Sequence, residues 1–536
     1  MLNNLAIRSI ISLTPILVVF FCLVILNKSA KYTMLIAWFI TSLLALFLWK
    51  INLMFLFAIT IYGILLAVTI IVIIFGAVLL LNSLKEFNAL KSLEYIFSEF
   101  TPYKCYQALL LGFGLSTFIE GAAGFGTPAA LVAPLLVGIG FPPLLAVSVA
   151  LVGHSIAVSF GAVGTPILGG LRAALDNTLV RAHLTKDFGQ WLAQDVSFWN
   201  SVFLAISGLF VVPLAIIFLS LKYFQEYKYK YKIIGAGFLA SFVFFSVQMM
   251  IAYFVGPELP SLGGGIAAMS LLVLMRGFFV ANKARVANNT QHGKELLFVI
   301  LIYSLVVILL IITRLPMLPL KANLIKVTIE WNNIFGTFIS WSWSFLYSPG
   351  IIPFFVASML CWGIGRYKRE QIFRIIKLTT QQVTPALVAL GASIAMAQIM
   401  IYSDYNNIQQ SGMITSIAEA TLKLCGAFFP FVSPWIGALG AFMAGSNTAS
   451  NILFAGYQFK VALGLQLSPT YIIALQSAGG ALGNIIAIHN IIAASATVGA
   501  LGAEGKVLRK TLPICILCLS LIGLVGVLLS LMTRTG

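Results

Sequence analysis

Apolar residues run through this chain in long blocks, neither alternating as in a half-buried strand nor forming the stripe of a soluble helix. A helix needs ~20 apolar residues to cross ~30 Å of hydrocarbon. Blocks near that length are Leu5–Leu26, Tyr32–Trp49, Leu53–Leu81, Val196–Leu221, Ile233–Phe254, Leu262–Val280, Leu296–Thr313, Tyr347–Gly365, Val383–Ser403 and Leu512–Met532. Two further regions, 106–175 and 426–503, are apolar but threaded with Gly, Pro, Ser, Thr and Asn. Broken helices and re-entrant hairpins are expected there, because backbone leaves the helix at membrane depth only where protein or a watery cavity satisfies it. The fold expected is an all-α polytopic membrane protein of about twelve spans. Segment 314–346, with Pro316, Pro319, Trp331, Trp341 and Trp343, reads as interfacial. No small-residue cleavage site follows the run Ile10–Leu26, so it reads as an uncleaved first helix.

The two irregular regions look like one device built twice. The first reads Glu120-Gly121-Ala122-Ala123-Gly124-Phe125-Gly126-Thr127-Pro128, the second Gly445-Ser446-Asn447-Thr448-Ala449-Ser450-Asn451. A proline follows each (Pro142, Pro469), then an apolar stretch and a second break, Gly153 to Pro166 and Gly479 to Asn490. Thr165 lies 44 residues after Gly121 (165 − 121), and His489 lies 44 after Gly445 (489 − 445). Paired interruptions at matched places point to the midplane binding site of a secondary transporter.

Composition sharpens the class. Of 536 residues 60% are hydrophobic and 9% charged, which no soluble domain shows. The net charge of +17 sits in short loops, the positive-inside pattern, so a nucleic-acid partner is not expected. Basic clusters at Lys222, Lys228, Lys230 and Lys232, at Lys283, Arg285 and Lys294, and at Arg366, Lys368, Arg369, Arg374 and Lys377 fall on one side, the cytoplasm. Lys28 and Lys31 want the same side, and Lys506, Arg509 and Lys510 precede one last span, so both termini are expected outside. Shifting the second half back by 324 (445 − 121) lays its basic loop 366–377 on 42–53, which carries only Lys50 and should face outward. That implies inverted repeats: 1–232, a connector 233–295, and 296–536. The six cysteines suggest no disulfide framework, and Cys515 and Cys518 read as buried small hydrophobes, not metal ligands. No cofactor or metal is expected.

The candidate residues each carry a plainer alternative. Glu120 follows an apolar run, so it should face a cavity or partner; burial favours its protonated form, and proton coupling is the functional reading. The alternative is a helix cap. Gly121, Gly124 and Gly126, with Thr127, allow backbone N–H groups to meet a carboxylate; the alternative is close helix packing. Ser446, Asn447, Thr448 and Asn451 offer neutral donors and acceptors, or else cap the next helix. His154 and His489 are relay candidates, His489 flanked by Asn484 and Asn490. Thr165 sits at the second break. Arg172 and Asp176 read as a helical ion pair, and Asp404 as solvated.

The stretches Phe118–Pro128, Phe160–Ile167, Gly256–Pro260, Gly445–Asn451 and, more loosely, Ala496–Gly502 resemble the bacterial L-lactate permease family. The resemblance implies a proton-coupled importer of small 2-hydroxymonocarboxylates, lactate and glycolate, in the bacterial inner membrane. The run Ser446-Asn447-Thr448 is also similar to the hairpin tips of some di- and tricarboxylate transporters. The family pattern has an aspartate where Asn447 stands, a proline where Ile488 stands and a glycine near Asp404. An enzyme is disfavoured because no H-E-x-x-H, G-x-S-x-G or Walker-type loop occurs. A channel would show a continuous polar path and no saturation, whereas inverted repeats with midplane breaks argue for alternating access. A dicarboxylate carrier would want more cations near the breaks than Arg172.

Overall fold

The computed structural model describes residues 4–86 apart from 27 and 29, 101–278 apart from 125, 319–348, 351–500 and 503–534, with 297–298, 301–302, 304–306, 308–309 and 312–313. The expected loop of Lys283, Arg285 and Lys294, Pro316 and much of the span Leu296–Thr313 lie outside the described residues.

Among the described residues, nine helices are long and apolar enough to cross a membrane, and shorter apolar helices include Leu5–Phe20 and Ile352–Ile364. The chain is a multi-pass helical membrane protein. Several helices outrun the apolar blocks. Arg369–Tyr402 is one helix whose first turns carry Arg369, Arg374 and Lys377, and Glu504–Arg534 carries Lys506, Arg509 and Lys510. These residues were expected in loops; hydropathy marks the stretch in hydrocarbon, whereas the helix continues into the charged interface. The all-α expectation holds among the described residues, with one short strand pair as a local exception. Within 314–346, strands Ile329–Trp331 and Trp341–Trp343 pair antiparallel, Trp331 opposite Trp341. Phe338, on the connecting turn, stacks near Phe55, Tyr402 and Tyr405 at helix ends.

The two motif regions share one order of elements. In the first, Ser116–Ala122 leads to a break, Thr127–Gly138, a turn, Pro143–His154 and a second break at 161–164. In the second, Phe429–Ala444 leads to a break, Asn447–Gly464, a turn, Pro469–Gly483 and a break at 484–487. Prolines at the first turn of the returning helices suit this, since their missing N–H has no intrahelical partner there.

Contacts at the helix ends orient these pieces. Helices Leu53–Glu86 and Arg369–Tyr402 lie antiparallel, with Glu86 paired to Arg374 at one end and Phe55 against Tyr402 at the other. The open end of the first hairpin is tied by Lys104, whose Nζ donates to the Ile139 carbonyl, while Glu226 accepts from the Lys104 and Cys105 N–H groups. The second hairpin is tied by Lys460 to Asp404, 2.6 Å apart. Asp404 is therefore clamped, not freely solvated: it also accepts from the Gly412 N–H and the Thr415 hydroxyl. Cys515 and Cys518 are buried, as small hydrophobes would be.

Candidate functional site

The incoming helix of the first hairpin ends because Gly124 (φ 59°) and Gly126 (φ 74°) take left-handed backbone before Thr127 restarts it. Glu120 lies on the last turn of that incoming helix. It is 2% exposed, and its Oε2 has no hydrogen-bond partner among the described residues. Its neighbour across the gap is Gly161, where a methyl group would collide with Glu120 Oε1. Gly161 opens the second break, in which Ala162 (φ 41°), Val163 (φ 56°) and Gly164 (φ 74°) are all left-handed. For a β-branched residue such as Val163 this backbone is an outlier, of the kind that clusters at functional sites. The stretch Gly256–Pro260 holds it: the Pro257 carbonyl lies so close to Gly164 that no side chain fits between.

The second hairpin turns at Gly445 (φ 67°), and Ser446 accepts from the Ala449 N–H as the cap of the returning helix. Asn447, 2% exposed, donates from Nδ2 to the Ser477 carbonyl (3.1 Å) and to Ser159 Oγ (3.3 Å). A carbonyl only accepts, so this pairing fixes which end of the amide is nitrogen. Its Oδ1 has no partner among the described residues. Asn484 donates to the Gly480 carbonyl and accepts from Asn490, whose Oδ1 would meet a Cβ at Gly126 at 2.7 Å.

These pieces close on one cavity of about 20 Å³, lined by Glu120, Gly126, Val158, Gly161 and Pro166 from the first region and by Gly445, Ser446, Asn447, Thr448 and Asn484 from the second. A water needs ~10–15 Å³ on this measure, so the cavity has room for about one. The matched breaks read from the sequence thus meet in space. Some candidates lie outside the lining. Gly121 packs against Ser261 and Leu262, and Gly124 against Ala162, the close-packing alternative. Thr165 donates to the Ala162 carbonyl, and Asn451 to the Pro166 carbonyl and Ser477 Oγ. Thr127 and Asn490 stand beside the lining without joining it. His154 is buried with Nδ1 on the Ala150 carbonyl, and His489 packs its Cβ against Gly445.

Sequence reading missed a buried polar chain behind the tip. Ser433 donates to Gln458, Gln458 donates to Gln476, and Gln476 donates to Ser450, beside Asn451 and Ser477. The available signal was Gln458 and Gln476 themselves, polar residues inside membrane-depth helices, which are costly without partners. Val158, Gly161 and Pro166 carried no polar side chain to draw notice.

The family model described as L-lactate permease matches residues 8–533. A Haemophilus influenzae protein provisionally named an L-lactate permease is 29% identical, over 94% of this chain and 95% of its own. The L-lactate permease of Halalkalibacterium halodurans is 27% identical over 76% of this chain and 74% of its own. The glycolate permease GlcA of Escherichia coli K12 is 26% identical over 98% and 96%. With both motif regions inside the matched span and joined around one cavity, the chain belongs to the L-lactate permease family.

Proposed function

We propose that this chain is a secondary transporter importing short 2-hydroxymonocarboxylates, L-lactate and glycolate foremost, by proton symport across the bacterial inner membrane. The observation that carries the reading is the convergence of both broken regions on one cavity holding a buried glutamate, an asparagine and a hairpin tip. The names of the relatives supply the substrate class. The cavity is lined by neutral groups and one acid, with no cationic side chain, which suits a single carboxylate and a hydroxyl better than two carboxylates.

Alternating access is the mechanism. The Lys104–Glu226 tie and the Lys460–Asp404 tie support hairpins that open to opposite faces, as two inverted repeats would. Glu120 carries the proton: it is the one acid in the lining among the described residues, and an ionisable side chain at membrane depth is functional by default. The proton enters with substrate and leaves when the site opens inward. Asn447 is a permanent amide, so the second hairpin adds no titrating group to the lining. His154 stands away from the lining, and His489 packs directly behind Gly445 of the lining; neither carries the proton in this scheme.

Counterflow in proteoliposomes tests the substrate class. Vesicles loaded with unlabelled L-lactate should take up labelled L-lactate and glycolate, and succinate should compete weakly. Uptake of succinate without lactate or glycolate would replace this reading with a dicarboxylate carrier.

A further inference from the structure

A second cavity of about 660 Å³ lies on the other side of the segment Pro166–Leu171. Pro166 lines the small site, whereas Leu168 and Gly169 line the large cavity. One π-helical turn therefore separates the two. Its packing is tight: a Cβ at Gly169 would meet Ile70 at 2.8 Å, and one at Gly170 would meet the Thr448 carbonyl at 2.9 Å. The large cavity is bounded by the ends of Leu53–Glu86 and Arg369–Tyr402, through Tyr62 and Tyr402, and by the paired strands through Trp341 and Trp343.

Its charged lining is Arg172, Arg181, Asp176 and Glu258. The two arginines differ. Arg181 holds Asp176 through Nε at 2.9 Å and Nη2 at 2.6 Å. Arg172 lies beside the same carboxylate with Nε at 3.5 Å, and its side chain is 54% exposed. Asp176 is thus already held by Arg181, and among the described residues no hydrogen bond engages the terminal nitrogens of Arg172. A guanidinium presents a planar fork that matches a carboxylate with two parallel N–H donors.

We propose that this cavity is the outer vestibule and that Arg172 is its carboxylate-docking residue: a short monocarboxylate anion pairs with Arg172 before Pro166–Leu171 yields and admits it to the Glu120 site. The inference rests on the functional reading above. It adds a second, earlier binding site that selects for a carboxylate before the hydroxyl is read. The tyrosine and tryptophan side chains of the lining, mostly half-buried, accommodate the small organic part of the anion, and the cavity's volume lies in the range of ligand sites. An anion drawn to an exposed guanidinium arrives at a rate that falls as salt rises.

The test uses the full chain in proteoliposomes, with initial uptake of labelled L-lactate and glycolate measured over a range of concentration and salt. Arg172→Gln should raise KM about tenfold, leave kcat within about twofold and flatten the salt dependence of kcat/KM. Arg172→Lys, which keeps the charge but loses the fork, should fall between. Asp176→Asn removes the ion pairs with both Arg181 and Arg172 while leaving both guanidinium groups in the cavity, and should not raise KM. A second arm reads binding without transport: a Ser342→Cys variant is labelled by a membrane-impermeant thiol reagent added outside. L-lactate should slow that labelling when Arg172 is present and fail to do so when it is Gln. Unchanged KM and salt slope in Arg172→Gln, an equal effect of Asp176→Asn, or labelling that lactate never slows would overturn the vestibule site. If the unaltered chain carries neither acid, the functional reading falls instead, and the labelling arm judges the vestibule by itself.

Discussion

Glu120 and Asn447 come from different hairpins and line one cavity, with no side-chain cation in its lining among the described residues. Glu120→Gln keeps the shape of a protonated acid, so it should abolish proton-driven accumulation while exchange of substrate across the membrane continues. Normal accumulation with normal pH dependence in that variant would remove Glu120 from coupling. Gly161→Ala should lower transport about tenfold or more, because the added methyl meets Glu120 Oε1 directly; unaltered uptake would show that the glutamate moves aside freely. The residues that sequence reading reached best were those with polar side chains beside a break: Glu120, Ser446, Asn447, Thr448 and Asn484, with Gly126, line the cavity. It did less well where backbone direction decides. Thr165 and Asn451 have suitable chemistry and spacing, but the left-handed run 162–164 turns the chain just before Thr165, Asn451 sits one helical turn past the tip, and both side chains bond carbonyls. Spacing along a helix says nothing about orientation across such a reversal.

At the scale of elements, apolar blocks and Gly/Pro-rich interruptions located the helices and breaks because burial in hydrocarbon imposes both. Helix ends were harder, since charged first turns such as those of Arg369–Tyr402 are outside hydrocarbon yet still hydrogen-bonded. The short strand pair escaped notice because three residues per strand leave no readable alternation. The second hairpin depends on two ties. Removing the cap with Ser446→Ala should cost about 1 kcal/mol in a detergent thermal melt. The other is Asp404 with Lys460. Burial pushes the Asp404 carboxyl up, but the Lys460 ammonium, the Gly412 N–H and the Thr415 hydroxyl outweigh it and hold the carboxyl below the usual aspartate range. A depressed folded value means the clamp stabilises fully at neutral pH and is lost as pH falls through that value. Asp404→Asn should therefore lower the melting temperature at neutral pH and lose its difference from the unaltered chain in strong acid. An equal deficit at both would mean the contribution is not electrostatic.

At the scale of the whole molecule, both motif regions line one cavity, and the proposed carrier works through it. If the basic loops face the cytoplasm as their charge implies, the last helix, starting at Glu504, carries the C-terminus outward, and both termini are expected outside the cytoplasm. A C-terminal reporter that is active only in the cytoplasm should be silent; activity would invert the proposed direction of both hairpins. The division at 233–295 follows from the same repeat and shares its fate. The central claim is that substrate and proton cross together through the Glu120 site. Its most direct measurement is uptake of labelled L-lactate and glycolate into proteoliposomes containing the unaltered chain alone, with an inward proton gradient imposed and then collapsed by a protonophore. The account predicts accumulation above the outside concentration while the gradient lasts, saturation with substrate, and a fall to equilibrium when the protonophore is added. Saturable uptake that ignores the proton gradient and follows a sodium gradient instead, or that never exceeds equilibrium, would contradict it.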